Sequence, residues 1–280
     1  MRYGFVIPGA PVRDFGRLAA AAEGAGWDAV FVPDALAIAM GKKDLEWFDP
    51  WVVLASMAVA TNNIRIGTFL TPVPRRRPWK LAREIVTLDH LSSGRVIFCA
   101  GLGAAEDDAG FFGVGEPTDL KIRAELLDEG LEIITGLWKG KRYSFAGRHY
   151  KIDKTSMLPR PFQTPRVPIW VVGVWPKEKS MRRALRFDGL IPQMYKGSPG
   201  VEMQPDVLES LVEHVRRELP ANKHYEIIFG GFPDGKSRKK ELEKVQRYEH
   251  AGATWWVDHP FTFDSDQLLA RIRLGPPKPR

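Results

Sequence analysis

Eight times along 280 residues, a short run rich in β-branched and aromatic residues gives way to a longer stretch with helical spacing. The runs are RYGFVI (2–7), DAVFVP (28–33), NIRIGTFL (63–70), RVIFCAGLG (95–103), PIWVVG (168–173), DGLIPQ (188–193), YEIIFGG (225–231) and ATWWVD (253–258). The helical segments fall near 13–25, 49–61, 78–92, after 119, and near 177–186, 204–219, 237–251 and 264–273. Strands alternating with helices make a parallel sheet. The run 95–103 is apolar almost throughout, as a strand covered on both faces requires. Eight such units close a barrel, so the spacing predicts an α/β chain folded as a (β/α)₈ TIM barrel with short insertions. The rival is a doubly wound open sheet. Its Gly-x-Gly-x-x-Gly turn must lead straight into a helix. AGLGAAEDDAG after the fourth run has the first two glycines, but no helix starts there.

Local signals punctuate the units. Gly26 stops the first helix, Pro78 suits the first turn of the third, and Ser92–Gly94 ends it. The spacing puts Val52, Ala55 and Val59 on the buried face of helix 2. It does the same for Leu81, Ile85 and Leu88 in helix 3, and for Leu127, Leu131, Ile134 and Trp138 in helix 4. The rhythm then breaks. Residues 141–152 read as a hairpin turning at Ala146–Gly147. PRPFQTPRVP (159–168) must be extended. One domain is expected over 1–275, with a loose tail at 276–280.

Composition narrows the function classes. At 44% hydrophobic residues, the chain can bury a full core. Cys99 is the single cysteine, which suits a reducing compartment. The N-terminus reads as a strand, and no window holds the apolar residues a membrane span needs. A cytoplasmic protein with no membrane partner is expected. The net charge is +7, from 41 Lys and Arg against 34 Asp and Glu. The basic residues are mostly dispersed, with clusters at Arg75–Arg77 and at KSRKK (236–240). The nine tryptophans do not interleave with them, so no nucleic-acid partner is expected. No His or Cys pattern has metal-ligand spacing, and no Gly-x-Ser-x-Gly elbow occurs.

In a barrel of this kind the active site lies at the C-terminal ends of the strands. That rule selects Ile7–Pro8, Pro33–Asp34, Leu70–Arg77, Ala100–Gly103, Gly173–Lys177, Pro192–Tyr195, Gly230–Pro233 and Asp258–His259. Asp34, Asp258 and His259 are the acid–base candidates there. For either aspartate a helix cap or a salt bridge is the competing reading. Gly101, Gly103 and Gly173 leave room for a flat ring or a phosphate to approach backbone N–H groups. Lys177 and Arg75–Arg77 add cationic donors, which together suit an anionic ligand. The arginines could equally pair with the acidic loop Glu106–Asp108, the preferred reading for at least one. Phe5, Trp170, Trp175, Tyr195, Phe232 and Trp255 are pocket-lining candidates, with ordinary core as the alternative.

IRIGTFLTPVPRRRPWKLAREIVTLDHLSSGRVIFCAGLG (64–103) resembles the strand 3–helix 3–strand 4 signature of the bacterial-luciferase-like flavin-dependent oxidoreductases. LWKGKRYSFAGRHY, LPRPFQTPRVPIWVVG and RRALRFDGLIP resemble the hairpin, the Pro-rich lead into strand 5 and the helix 5–strand 6 passage of that family. The resemblance implies reduced FMN, or alternatively coenzyme F420, at the strand C-termini. It implies monooxygenation with O₂ or hydride transfer on a small organic substrate. It carries a strained, often cis, peptide backing the ring onto Leu70, Thr71 and Pro72. It also places Ala100, Gly101, Leu102 and Gly103 beside the ring. The phosphate falls to Gly173, Val174, Trp175 and Lys177. A homodimer is implied, and a flavin reductase partner if FMN is used. Many relatives carry Asp–His after strand 2. Here Ala35 follows Asp34, so that histidine's role is either absent or supplied elsewhere, with His259 as the candidate. After strand 5 the sequence is GVWPKEKS, where relatives have Gly–Gly or small hydroxyl residues. A non-catalytic flavin-binding barrel remains open as an alternative. So does an unrelated barrel enzyme working on an anionic substrate through Asp34, Asp258 and His259.

Overall fold

The computed structural model describes residues 1–36, 39–40, 43–103, 111, 113–195, 203–232 and 237–278. Eight parallel strands form the sheet: β1 Arg2–Val6, β2 Ala29–Val32, β3 Arg65–Thr68, β4 Val96–Gly101, β5 Ile169–Trp175, β6 Gly189–Met194, β7 Glu226–Gly231 and β8 Trp255–Asp258. Neighbours follow sequence order, β8 pairs with β1, and β4 pairs with β5. The sheet is therefore a closed barrel, as the eightfold alternation predicts. Among the described residues, eight helices surround it: α1 Phe15–Gly24, α2 Pro50–Ala60, α3 Pro78–Leu91, α4 Leu120–Leu137, α5 Glu178–Leu185, α6 Pro205–Glu218, α7 Arg238–His250 and α8 Ser265–Arg273.

Strand parity splits the core in two. One set of side chains points out to the helices. The other fills the barrel axis and includes Phe31, Cys99, Trp170, Trp255 and Val257. Trp255 meets Trp170 at 5.0 Å between ring centroids, Trp170 meets Phe31 at 5.9 Å, and Phe31 meets Phe69 at 5.4 Å. The axis is thus plugged by a column of edge-on and tilted aromatic rings. Gly4 makes room for them, because a Cβ there would lie 2.8 Å from the Phe31 ring. In β3, a Cβ on Gly67 would collide with the backbone oxygen of Ile97.

The helix ends follow their sequence signals. Asp49 caps α2 through the N–H groups of Trp51 and Val52, and Asp119 caps α4 through that of Ile122. Pro78 opens α3 at its first position. Gly26 and Gly94 take positive φ just beyond α1 and α3. The hairpin strands are Tyr143–Ala146 and Lys151–Thr155. The Pro-rich segment runs along α3, where the buried Asp89 accepts from the Gln163 N–H (3.0 Å) and Nε2 (2.7 Å).

Two expectations change. Helix α2 buries Trp51, Val53, Leu54 and Met57, whereas Val52 and Val59 are exposed. The segment taken as a loose tail starts packed: Pro276 and Pro277 are buried, and Arg238 donates to the carbonyls of Gly275 and Pro276. Residues 279–280 lie outside the described residues.

Candidate active site at the barrel mouth

After β3 the chain does not enter α3 directly. Thr71 and Pro72 form a two-residue strand beside Ala100 and Gly101 of β4. Leu70–Pro72 and Ala100–Gly103 are thereby brought together. The cis peptide is non-prolyl and joins Phe69 to Leu70, at the start of the segment expected to hold it. The Thr71 hydroxyl is buried and shares a 2.7 Å hydrogen bond with that of Thr68, so it is committed within the wall.

Above the axial plug, Phe69, Leu70 and Val172 make an apolar floor. A Cβ on Gly101 would lie 2.5 Å from Leu70 Cδ1 and 3.2 Å from Val172 Cγ2. That glycine therefore seats the floor. Gly103 has φ +78, and a Cβ there would meet Pro72 and Phe111 at 2.8 Å. The Leu102 and Gly103 carbonyls accept from Arg123 at 3.4 and 2.8 Å. These contacts fix the end of β4 from behind.

His259, just past β8, stands at the edge of this floor. Its ring packs edge-on against Phe69 at 4.9 Å and against Phe232 at 6.0 Å. Burial among these rings lowers its pKa to about 4, so the imidazole is neutral at pH 7. Its backbone N–H is tied to the Gly231 carbonyl. Among the described residues, its ring nitrogens have no hydrogen-bond partner.

The two aspartates are committed elsewhere. Asp258 has the opposite parity from Trp255 and Val257, so its side chain points outward. It accepts from Trp256 Nε1 at 2.7 Å and from Arg271 of α8. Burial raises its pKa against the pull of Arg271 and Trp256. This carboxylate ties α8 to the barrel and does not face the mouth. Asp34 is also buried. It accepts from Arg76 Nε and Nη2 at 2.8 and 2.7 Å and from Arg75 Nη2 at 3.2 Å. For Arg76, burial disfavours the charge, but Asp34, with Asp49 and Glu84 adding, turns the net pKa shift upward. Asp34 is thus a shared partner of both arginines, and Arg76 also reaches Asp49 at 3.6 Å. The acidic loop Glu106–Asp108 lies outside the described residues, as does Pro233.

The segment after β5 is rearranged relative to expectation. Gly173 faces α5: a Cβ there would collide with Leu190 and approach Met181 Sδ at 3.2 Å. Its missing side chain is explained by helix packing. The Val174 N–H donates to Ser180 Oγ at 3.0 Å, and the Lys177 N–H to the Val174 carbonyl at 2.8 Å. Trp175 turns outward onto His214 of α6, 5.3 Å between rings. The Lys177 ammonium remains on the rim, 3.5 Å from the centre of the Tyr195 ring. Of the other aromatic candidates, Phe5 faces outward against Trp27, and Trp170 and Trp255 belong to the plug. Phe232 stays at the mouth.

The residues at the mouth fit a flat, mostly apolar ring with an anionic tail. The floor is apolar, the imidazole beside it is neutral, and Lys177 with the first-turn N–H groups of α5 stands at the rim. Phe69, Val172 and the Asp34 clamp were not singled out from sequence. Phe69 and Val172 are apolar within apolar runs and carry no signal. The clamp had one: β2 and β3 are neighbours, so Asp34 and Arg75–Arg76 follow adjacent strand ends.

Residues 2–232 match the family described as Luciferase-like monooxygenase. The chain is 31% identical to an uncharacterized protein of Mycobacterium tuberculosis, over 91% of this chain and 90% of that one. It is 31% identical to the F420-dependent glucose-6-phosphate dehydrogenase of Amycolatopsis mediterranei, over 76% of this chain and 66% of that one. A solved F420-dependent secondary alcohol dehydrogenase, in complex with an F420–acetone adduct, superposes with a TM-score of 0.79 at 18% identity, covering 99% and 98% of the two chains. The barrel, its mouth and these matches agree: the chain belongs to the luciferase-like family of flavin- and F420-dependent oxidoreductases.

Proposed function

We propose that this protein uses coenzyme F420 at the barrel mouth to interconvert a small uncharged alcohol and its carbonyl counterpart. The observation that carries the reading is the His259 imidazole packed edge-on against Phe69 at the apolar floor, kept neutral by burial and, among the described residues, without a hydrogen-bond partner. The names of the Amycolatopsis relative and of the alcohol dehydrogenase neighbour support F420 over FMN.

When bound, the deazaflavin supplies or accepts a hydride. The chain's own residues do the rest. Phe69, Leu70 and Val172 support one face of the ring and exclude water from it. Lys177 and the start of α5 hold the anionic tail. An imidazole nitrogen of His259 takes the hydroxyl proton as the alcohol carbon gives up its hydride, and returns it in the reverse direction. Asp34 keeps Arg75 and Arg76 folded against the wall. A second copy of the chain is part of this reading, and size-exclusion chromatography with light scattering reports it directly.

The deciding experiment titrates the purified protein with F420 and, separately, with FMN, following fluorescence and absorbance. Saturable F420 binding with far weaker FMN binding is the expected result. Preference for FMN would move the reading to flavin monooxygenation, with a flavin reductase as partner. Failure of both to bind removes it. Lys177→Gln should weaken F420 binding. His259→Gln should leave F420 affinity within about threefold and lower turnover by roughly 10²-fold.

A further inference from the structure

The opposite end of the barrel carries a second feature. Arg2 opens β1, Arg65 opens β3 and Trp255 opens β8, so all three meet at the N-terminal face. Together with Glu23 and Asp28 they line a crevice of about 410 Å³. Trp255 is its floor, with the Arg2 guanidinium 5.5 Å above the ring. The indole N–H of Trp255 is buried and, among the described residues, has no hydrogen-bond partner.

The charges in the crevice are unequally committed. Glu23 is turned onto the backbone N–H groups of Asn62, Asn63 and Ile64. Asp28 accepts from the Tyr3 N–H at 2.8 Å. Glu226, at the start of β7, accepts from Thr254 and His224 as well as from Arg2, at 3.3 Å for the last. Among the described residues, no hydrogen bond or ion pair reaches the Arg65 guanidinium. Burial and the neighbouring Arg2 lower its pKa, and Glu226 only partly opposes them. Two like charges thus line one crevice and repel each other, and among the described residues Arg65 makes no ion pair.

We propose that this crevice is an oxyanion site, taking a compact phosphate or carboxylate group between Arg2 and Arg65 over the Trp255 ring. Guanidinium groups match the planar, multi-oxygen geometry of such anions, and an oxyanion removes the Arg2–Arg65 repulsion. The site is separated from the mouth by the aromatic plug, so it is independent of the cofactor reading.

Isothermal titration calorimetry of the full chain with inorganic phosphate, at ionic strength fixed with sodium chloride, tests it. Saturable phosphate binding is expected. Arg65→Gln should weaken it by about tenfold or more. Arg2→Gln should act in the same direction, which guards against a folding defect in one variant. Glu226→Gln frees Arg2 and should tighten binding. Lys80→Gln, an exposed cation on α3 outside the crevice, should leave the affinity unchanged. Unaltered affinity in both arginine variants would overturn the site. So would loss of phosphate binding in Lys177→Gln alone, which would place the anion at the mouth. A benzoate titration then separates carboxylate from phosphate ligands: comparable Arg65-dependent binding supports the shared oxyanion chemistry, and Arg65-independent binding of both anions refutes it.

Discussion

Asp34 carries two guanidinium groups on one buried carboxylate, and its side chain has no exposed surface. Such a pair adds little over a well-packed apolar pair, yet removing one partner is costly. Asp34→Asn should destabilise the protein by about 3 kcal/mol, because Arg75 and Arg76 then lose the buried carboxylate they share. Urea denaturation measures it, and a loss below about 1 kcal/mol would show the clamp to be incidental. His259 gives a prediction of pH dependence. Its folded pKa, about 4, is below the unfolded value of about 6.5. The unfolded state therefore binds a proton between those values while the native state does not, and stability falls as pH drops from 6.5 to 4. Melting temperatures of the protein and of His259→Gln across that range should converge at the acid end. Sequence placed Asp34, Asp258 and His259 at strand ends correctly. It could not assign their direction: Trp255–Val257 ahead of Asp258 are apolar at every position, as in a strand buried on both faces, so alternation does not tell which side chains point inward.

At the scale of elements, β5 and α5 meet at Gly173. Gly173→Ala should lower stability by about 1–3 kcal/mol through overpacking against Leu190 and Met181. It should leave F420 affinity nearly unchanged. Thermal melting and a binding titration on the same variant separate the two effects, and the opposite pattern would return Gly173 to the ligand. The glycine was legible as a position needing no side chain, but sequence alone does not say whether a helix or a ligand fills the space. Helix α2 shows the same limit. PWVVLASMAVA is apolar on every side, so no polar face orients it, and the stripe at Val52 and Val59 lies in solvent. Helix α4 is amphipathic, and there Leu127, Leu131, Ile134 and Trp138 are all buried as the spacing predicts.

For the molecule as a whole, the eightfold alternation was enough to predict closure, since each unit returns the chain to the next parallel strand. The seam is secured by contacts far apart in sequence. Trp27 Nε1 donates to the Ile272 carbonyl at 3.0 Å, and the Met1 ammonium reaches Glu249 at 3.0 Å. Neither was readable in advance, because each depends on the barrel having closed. The ring column of Phe69, Phe31, Trp170 and Trp255 has a consequence for guests that the protein does not normally admit. Phe31→Ala would open a chamber in it lined by aromatic and aliphatic groups, at a cost of about 3–5 kcal/mol. A dry apolar void of that kind takes up xenon or benzene. Either guest should therefore raise the melting temperature of the variant while leaving the parent protein unmoved, turning a solid barrel into a small-molecule host.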